Sequence, residues 1–298
     1  MSILLDETNR VLIQGVTGQM GTFFVEDARK YGTHMVAGVS PGRAGTRVGD
    51  VPVYAGVREA CKETGADTAI VFVPPAAVLG AVLEAIEAGC RLVVATADEL
   101  PVSDAIEIRA AARANGTAFV GPNTPGIISP GKAKLGFMPS FCYTRGHVGV
   151  ISRSGSLSYE GSKRLTLAGI GQTTVIGIGG DPVKGTTAAE ALELFHRDPE
   201  THAVVYLGEI GGSEETFVAE YASRADAKPV AALIVGATAP AGKKMGHAAA
   251  LIGSKAEGHA AKQKLLRDAG VYVANGLPEL VPATQAALAS RRQAAAAA

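Results

Sequence analysis

The chain has 298 residues with 28 basic and 28 acidic side chains, so its zero net charge gives no reason to expect a nucleic acid or an anionic membrane as partner. Hydrophobic residues make up 47% and aromatic residues only 5%, with 37 glycines, which favours an α/β fold with many tight turns in two domains of ordinary size. The three cysteines lack CxxC spacing, and neither a signal pattern nor a bilayer-length apolar run is evident, so we expect a cytoplasmic protein without a disulfide framework.

The first motif is a strand, a glycine-rich turn and a helix in RVLIQGVTGQMGTFFVEDARKYG. Val11 to Gln14 is predicted as a short apolar strand, and the helix is predicted from Thr22 onward. Between them, Gly15, Gly18 and Gly21 form G-x-x-G-x-x-G. Such glycines let the backbone approach a phosphate at a helix N-terminus, as in dinucleotide-binding turns. The same glycines could merely permit a tight connection between strand and helix.

The next predicted strand, Met35 to Val39, ends in Ser-Pro-Gly-Arg. An NAD site would carry an acidic residue at this strand end to bind the ribose hydroxyls. Arg43 stands near that place, and a cation there favours a phosphate on the ribose, as in NADP or the 3′-phosphate of coenzyme A. A solvated loop charge is the alternative for Arg43.

Strands and helices then alternate, which predicts a parallel, doubly wound sheet whose ligands bind at the carboxyl ends of the strands. The loop after the strand RLVVA carries Thr96, Ala97, Asp98 and Glu99 at that edge. Ser103 is predicted as the N-cap of the following helix, which should stop at Gly116. The segment TAFVGPNTPGIISPG is predicted as a strand that breaks into a proline- and glycine-rich loop.

The strand–turn–helix pattern starts again in HVGVISRSGSLSYEGSKRL. Its turn offers Ser154, Gly155 and Ser156 at a helix start, where hydroxyls and backbone N–H groups would bind an anion such as phosphate. Simple N-capping by Ser154 or Ser156 is the alternative. Because a cap needs one such residue and this turn has two serines around a glycine, we favour the anion site.

Two further loops are predicted at the same edge of this second sheet. One, GEIGG, places Glu209 at a strand end, and the other, GKKMGHAAA, places His247 among small residues. A carboxylate that fixes the imidazole tautomer, next to a helix N-terminus, suits a phosphorylated histidine. A Ser–His–Asp hydrolase lacks its G-x-S-x-G turn, the histidines have no metal-ligand spacing, and His259, His196 and His202 are interpreted as solvated.

In combination, these motifs resemble those of the α subunits of the succinyl-CoA synthetase family, the nucleoside-diphosphate-forming acyl-CoA ligases that include malate–CoA ligase. The motifs occur in the family's order up to about residue 280: QGVTGQMGTF, GPNTPGIISPG, ISRSGSLSYE, GIGGDP, GEIGGSEE and TAPAGKKMGHAAAL. The resemblance implies an α/β chain with a Rossmann-like CoA-binding domain at residues 1–130. A flavodoxin-like doubly wound α/β domain with the phosphohistidine would follow at residues 131–298.

The resemblance also assigns roles to residues. It implies that His247 is the phosphohistidine, supported by Glu209, and that Tyr159 lies near the acid substrate. The phosphate would be bound by Ser154, Gly155 and Ser156, and coenzyme A by Thr17, Gly18, Gln19, Met20, Arg43, Thr96, Ala97 and Asp98.

The resemblance implies the reaction acid + CoA + NTP ⇌ acyl-CoA + NDP + phosphate, with a small carboxylic acid and with no metal on this chain. It implies an ATP-grasp β subunit that binds ATP or GTP and Mg²⁺, in an αβ or α2β2 assembly. Three alternatives remain: the same mechanism with malate or another small acid, a CoA-binding regulatory module without turnover, and an NADP oxidoreductase, which leaves the second anion turn unexplained.

Overall fold

The computed structural model describes residues 2–240 and 242–297, and the side chains up to residue 291. The chain divides into two compact units. The N-terminal unit comprises residues 4–138 and 183–186, and the C-terminal unit comprises residues 139–182, those from 187 onward and those up to Ile3. Each unit has its own parallel sheet with helices connecting the strands.

The sheet of the N-terminal unit has the Rossmann strand order. Its strands are β1 (Val11–Gln14), β2 (Met35–Val39), β3 (Arg47–Val48), β4 (Val51–Tyr54), β5 (Thr68–Val71), β6 (Leu92–Ala95) and β7 (Ala118–Val120). They lie in the order β3-β4-β2-β1-β5-β6-β7, with β3 antiparallel and the others parallel. Without β3 this is the 3-2-1-4-5-6 arrangement of dinucleotide-binding folds, which confirms the doubly wound prediction.

Four helices connect these strands, and their starts correct two predictions. They are α1 (Gln19–Tyr31), α2 (Val57–Thr64), α3 (Pro75–Glu87) and α4 (Val102–Asn115). Helix α1 begins at Gln19 instead of Thr22, because extended Gly18 already accepts the first helical hydrogen bond, from Thr22 N at 2.9 Å. Ser103 is not an N-cap: Pro101, with φ near −54°, caps α4, and Ser103 lies inside the helix.

The N-terminal unit extends beyond residue 130 to Met138 because of a hairpin that was predicted as a loop. Strands β8 (Gly126–Ser129) and β9 (Ala133–Gly136) pair antiparallel. The hydroxyl of Thr33 donates to the Lys134 carbonyl at 3.1 Å, and the buried Lys134 ammonium lies 2.5 Å from the Asp27 carboxylate on α1. These bonds fasten the hairpin to the N-terminal unit.

The parallel strands of the C-terminal unit follow the flavodoxin order. They are β10 (Arg145–Ser152), β11 (Gln172–Gly177), β12 (Ala203–Glu209), β13 (Val230–Val235) and β14 (Tyr272–Ala274), arranged β11-β10-β12-β13-β14. This is the 2-1-3-4-5 order, in which ligands bind where the strand order reverses, between the first and third strands. In this unit that place is at the carboxyl ends of β10 and β12.

Helices cover this sheet on both faces, and its strands are correspondingly apolar and buried. The helices are α5 (Gly155–Leu167), α6 (Ala188–Arg197), α7 (Glu214–Ala222), α8 (His259–Asp268) and α9 (Leu277–Ala297), with 3-10 turns at Ser140–Cys142 and Lys255–Glu257. Every residue of β11 and β12 is buried. No helix in the described part of the chain is both long and apolar enough to cross a membrane.

Candidate functional site

The turn between β1 and α1 depends on glycine at two positions. Gly15 has φ +78°, and a Cβ there would lie 2.4 Å from the Phe72 carbonyl oxygen. A Cβ on Gly21 would lie 2.4 Å from the Gly15 carbonyl oxygen. Helix α1 therefore starts directly against the turn, and its N-terminus lies at the carboxyl end of β1, where the strand order reverses.

The first turn of α1 is suited to an anion. Gly18 is its N-cap, and among the described residues no side chain caps the helix by a hydrogen bond. Thr17, Gly18, Gln19 and Met20 are all exposed. The N-terminal N–H groups of a helix and its dipole together attract phosphate, so this turn fits a phosphate group of a nucleotide-like ligand.

The end of β2 lies beside this turn. The hydroxyls of Thr17 and Ser40 are 2.7 Å apart, which joins the glycine turn to the loop after β2. In that loop Arg43 N donates to the Ser40 carbonyl at 3.0 Å, and the Arg43 side chain is exposed. The guanidinium is therefore accessible to a ligand at this edge.

The loop after β6 reaches the same edge of the sheet. The Asp98 carboxylate accepts hydrogen bonds from Glu99 N at 2.7 Å and from the Asn123 side chain at 2.9 Å. Thr96 and Ala97 are half-buried, and the Ala97 carbonyl accepts from Asn123 N at 2.8 Å. Two strand spacings separate β6 from β1, about 10 Å. An extended ligand could contact both loops.

In the C-terminal unit, His247 and Glu209 form a hydrogen-bonded pair. Nδ1 of His247 lies 2.9 Å and 3.0 Å from the two carboxylate oxygens of Glu209. Because a carboxylate only accepts, Nδ1 carries the proton, which leaves the lone pair on Nε2. The His247 side chain is 26% exposed while that of Glu209 is 8% exposed. The pair thus presents an imidazole to solvent and keeps its carboxylate inside.

Two glycines allow the loop that carries His247 to approach the sheet closely. A Cβ on Gly180 would lie 2.3 Å from Cγ of His247, and Gly180 O accepts from Ala249 N at 3.1 Å. A Cβ on Gly211 would lie 2.1 Å from the Ala249 carbonyl oxygen. Gly246 reverses the chain just before the histidine with φ +80°.

Strand order places His247 over the end of β10. The ring contacts Gly180, after β11, and Glu209, at the end of β12, and β10 lies between those two strands. Two residues after the end of β10, Ser154 caps α5 by accepting from Leu157 N at 3.4 Å. The helix N-terminus and the imidazole therefore lie at the same crevice of the sheet.

The serine turn shows the N-capping bond of Ser154 and has a second hydroxyl beside it, that of Ser156. The hydroxyls of Ser154 and Ser156 are 3.5 Å apart, and Ser156 is exposed while Ser154 and Gly155 are half-buried. N-capping by Ser154 uses one hydroxyl, and Ser156 carries a second one at an exposed position of the first turn. Tyr159, one turn further on, is half-buried, and burial raises the pKa of its phenol.

A buried cluster of charges lies beneath the His247–Glu209 pair, and its role was not predicted. Arg153 donates to the carbonyls of Glu209 at 3.1 Å and Gly211 at 2.7 Å. Lys262 donates to the same two carbonyls, at 3.0 Å and 2.6 Å, and to the Glu215 carboxylate. Two cations thus hold the backbone on both sides of the turn after Glu209.

The cluster is balanced in charge. Two cations, Arg153 and Lys262, face two carboxylates, Glu209 and Glu215, and Tyr206 donates to Glu215 at 2.9 Å. Burial lowers the pKa of Lys262, with Glu215 opposing that shift. For Arg153, burial opposes a rise that the acidic neighbours Tyr206, Glu209 and Glu215 cause in its pKa. The mutual attraction of these charges and their hydrogen bonds offset part of the cost of removing them from water.

The prediction that three histidines are solvated is wrong. His259 begins α8, is half-buried, and its Nε2 lies 3.0 Å from the Ile234 carbonyl oxygen. His196 is half-buried edge-on to Tyr221, and the half-buried His202 stacks on His147. The short polar sequences around these histidines did not reveal such non-local partners. No group of three metal-ligating side chains occurs within residues 2–240 and 242–297.

Two protein families match the two halves of the chain. The CoA binding domain family matches residues 6–98 and the CoA-ligase family matches residues 151–272. The succinate–CoA ligase [ADP-forming] subunit alpha of Aquifex aeolicus is 46% identical over 92% of this chain and 90% of its own length. The subunit alpha 1 of Archaeoglobus fulgidus is 47% identical over 94% and 96%. The malate–CoA ligase subunit alpha of Methylorubrum extorquens is 44% identical over 92% and 94%.

Solved structures with low sequence identity share the fold. An ATP citrate lyase from Methanothrix soehngenii, in complex with citrate and coenzyme A, superposes with a TM-score of 0.90 at 22% identity, over 98% of this chain and 52% of its own. The apo acetyl-coenzyme A synthetase 1 of Ca. Korarchaeum cryptofilum gives 0.74 at 20% identity, over 92% and 60%. The chain spans little more than half the length of these proteins.

Proposed function

This chain belongs to the family of succinate–CoA ligase α subunits, and from that premise we propose that it is the CoA-binding and phosphohistidine-carrying subunit of an NDP-forming acid–CoA ligase. The observation that carries the proposal is the hydrogen bond of 2.9 Å between Nδ1 of His247 and Glu209, at a partly exposed imidazole beside a helix N-terminus. A serine-capped helix start and a tautomer-fixed imidazole at one crevice suit the transfer of a phosphoryl group.

In the ligase direction, Nε2 of His247 would attack the terminal phosphorus of the nucleotide, forming the N–P bond and releasing NDP. Glu209 would stabilise the imidazolium that forms, since it already accepts the Nδ1 proton. A carboxylate oxygen of the acid would then take the phosphoryl group, giving an acyl phosphate and regenerating the imidazole. The CoA thiolate would attack the acyl carbonyl, and phosphate would leave.

The residues of the serine turn would bind the phosphoryl group during these steps. The N–H groups at the start of α5 and the hydroxyls of Ser154 and Ser156 would stabilise its negative charge, and Gly155 leaves the approach open. Tyr159 would lie on the side of the acid substrate. This arrangement requires no metal on this chain, because the helix dipole and the hydroxyl donors would stabilise the negative charge of the phosphoryl group.

Coenzyme A would bind at the glycine turn of the N-terminal unit. The N–H groups after Gly18, at Gln19 and Met20, would bind a phosphate, with the hydroxyl of Thr17 and the guanidinium of Arg43 as further donors. The loop of Thr96, Ala97 and Asp98 would contact the rest of the coenzyme about two strands away.

A separate β subunit would complete the enzyme. We propose an ATP-grasp partner that binds ATP or GTP with Mg²⁺, in an αβ or α2β2 assembly. Relatives named as succinate–CoA ligase subunits and a relative named as a malate–CoA ligase subunit have nearly the same sequence identity to this chain, 46–47% and 44%. Both acids are therefore candidates for the substrate. A panel of small acids assayed on the assembled enzyme would identify it.

The test is phosphorylation of the assembled enzyme with γ-labelled ATP. Acid-labile label should appear on this chain, should be absent from His247→Asn, and should remain in the control His196→Asn, whose imidazole contacts Tyr221 instead. Glu209→Gln should slow labelling about 10- to 100-fold, because it removes a charge-assisted hydrogen bond worth roughly 1.5–3 kcal/mol. Undiminished labelling and turnover in His247→Asn would refute the mechanism.

A regulatory module that binds coenzyme A without turnover is the second candidate. It would bind coenzyme A yet give no label and no acyl-CoA with any partner or acid. The paired His247 and Glu209 favour the enzyme, because a sensor would need only the glycine turn.

A further inference from the structure

The C-terminal unit contains a cavity of about 990 Å³ at the edge of its sheet opposite His247. Its lining comes from the first residues of β10, from the segments that lead into β11 and β12, and from α9. Arg145 and Ser152 stand at the two ends of β10. At about 3.3 Å per residue these ends lie roughly 20 Å apart, so the cavity is remote from the histidine crevice.

The charged groups that line this cavity are cationic. They are Arg145 and Arg291, and two imidazoles, His147 and His202, accompany them. Among the described residues that line it, none is acidic. Arg145 lies 3.9 Å from the carboxylate of Glu200, and because the guanidinium is 67% exposed and the carboxylate 39% exposed, this is a weak pairing.

The two imidazoles are arranged face to face. Their centroids are 4.3 Å apart and their planes differ by 7°. Nδ1 of His147 lies 3.0 Å from the Glu200 carbonyl oxygen, and because a carbonyl only accepts, Nδ1 must carry the proton.

The buried Lys228 is close enough to Arg291 for the charge of that guanidinium to affect its pKa. The Lys228 ammonium donates to the Phe195 carbonyl at 2.7 Å and to the Asp198 carbonyl. Burial first, and then the charge of Arg291, lower its pKa to about 8, while Asp198 acts in the opposite direction. An anion beside Arg291 would offset that charge.

We propose that this cavity binds a small organic anion with two or more phosphate or carboxylate groups on an apolar body. The guanidiniums of Arg145 and Arg291 would bind the charged groups in their fork geometry, with the stacked imidazoles beside them. Ile170 and Leu288, which also line the cavity, would contact the apolar part. The site is separate from the proposed coenzyme and phosphohistidine sites and does not depend on either.

The test uses the full chain with excess coenzyme A, which fills the glycine-turn site. Inorganic pyrophosphate and propane-1,2,3-tricarboxylate are the two probes, and the imidazole resonances of His147 and His202 are followed by NMR. We expect saturable shifts in both rings with at least one probe, and which probe binds more tightly distinguishes a phosphate from a carboxylate ligand. The pKa of Lys228 should rise from about 8 on binding. If neither probe shifts these resonances at about 10 mM, its dissociation constant is on the order of 10 mM or weaker, and the proposal is overturned.

A double variant separates a specific site from a general effect of charge. Arg145→Gln/Arg291→Gln should weaken binding at least about tenfold, or roughly 1.4 kcal/mol. The matched control Arg58→Gln/Arg91→Gln removes two exposed guanidiniums from the N-terminal unit and should leave binding unchanged. Repeating the titration in His247→Asn separates this site from the histidine crevice, since binding should persist there. Equal losses in both double variants, or loss in His247→Asn, would contradict the proposal.

Discussion

Lys262→Met removes one of the two cations beneath Glu209 while keeping a side chain of similar length. The ammonium of Lys262 donates to the carbonyls of Glu209 and Gly211 and to the carboxylate of Glu215. Both carbonyls keep a second donor, the Arg153 guanidinium, at 3.1 Å and 2.7 Å. Glu215, which is 1% exposed, loses its ion pair with Lys262 and keeps only the Arg153 guanidinium at 3.7 Å and the Tyr206 hydroxyl at 2.9 Å.

The cost follows from that lost ion pair. Removing one partner of a buried ion pair typically costs about 3–5 kcal/mol when the remaining charge has no other partner. The contacts that Glu215 keeps with Arg153 and Tyr206 favour the lower end of that range. We therefore expect Lys262→Met to lower the free energy of unfolding of the C-terminal unit by about 3 kcal/mol. Lys264→Met is a matched control on the same helix: its side chain is 77% exposed in a pair with Asp268, and such pairs contribute at most about 1 kcal/mol.

The measurement is urea unfolding followed by circular dichroism. A second variant, Lys262→Met/Glu215→Gln, restores neutrality and should recover part of the loss, giving a coupling energy that a purely steric effect lacks. Phosphohistidine labelling should fall in parallel in Lys262→Met, because the backbone around Glu209 has lost a donor. If Lys262→Met unfolds within about 1 kcal/mol of Lys264→Met, or if the double variant recovers nothing, the charge-balance reasoning fails.

Two glycine variants test the close contacts of each site. Gly180→Ala should displace the His247 ring, because its Cβ would lie 2.3 Å from Cγ of that ring. Overpacking costs about 1–3 kcal/mol, so phosphohistidine labelling should be slowed roughly 5- to 150-fold. The affinity for coenzyme A should be unchanged. Gly21→Ala should affect the other site, since its Cβ would lie 2.4 Å from the Gly15 carbonyl oxygen. Isothermal titration should show weaker coenzyme A binding by this variant. Gly80→Ala, with open space around its Cβ on α3, should alter neither measurement, and a similar loss there would argue against the steric explanation.

The parallel pairing in both sheets follows from patterns that are local in sequence. Short apolar strands that alternate with helices predict parallel pairing, and β1, β2 and β12 begin or end where the apolar runs do. The hairpin β8–β9 was not predicted, because its proline- and glycine-rich flanks are typical of loops. Gly126, with φ +113°, makes a close approach to Leu135 that no local pattern reveals.

The buried charges were not predicted for a related reason. Arg153 was interpreted only as part of a serine-rich turn, and Lys262 lies in a segment whose charges are typical of a solvated helix face. The partners of both are distant in sequence: the Glu209 carbonyl is 56 residues from Arg153 and 53 from Lys262. Helical spacing gave one usable signal, because Lys262 shares the buried face of α8 with Leu266, four residues later.

The glycines of GIGGDP and GEIGG and the small residues of GHAAA form one packing arrangement. The loop that carries His247 lies so close to the sheet that a Cβ on Gly180 would strike the imidazole and a Cβ on Gly211 would strike the backbone at Ala249. Two segments that are separate in sequence thus need glycine where the loop of His247 packs against them. Small residues near His247 were expected to leave room for a phosphoryl group. The contacts give them a second purpose, because only a loop this flat brings Nδ1 within 2.9 Å of the carboxylate of Glu209.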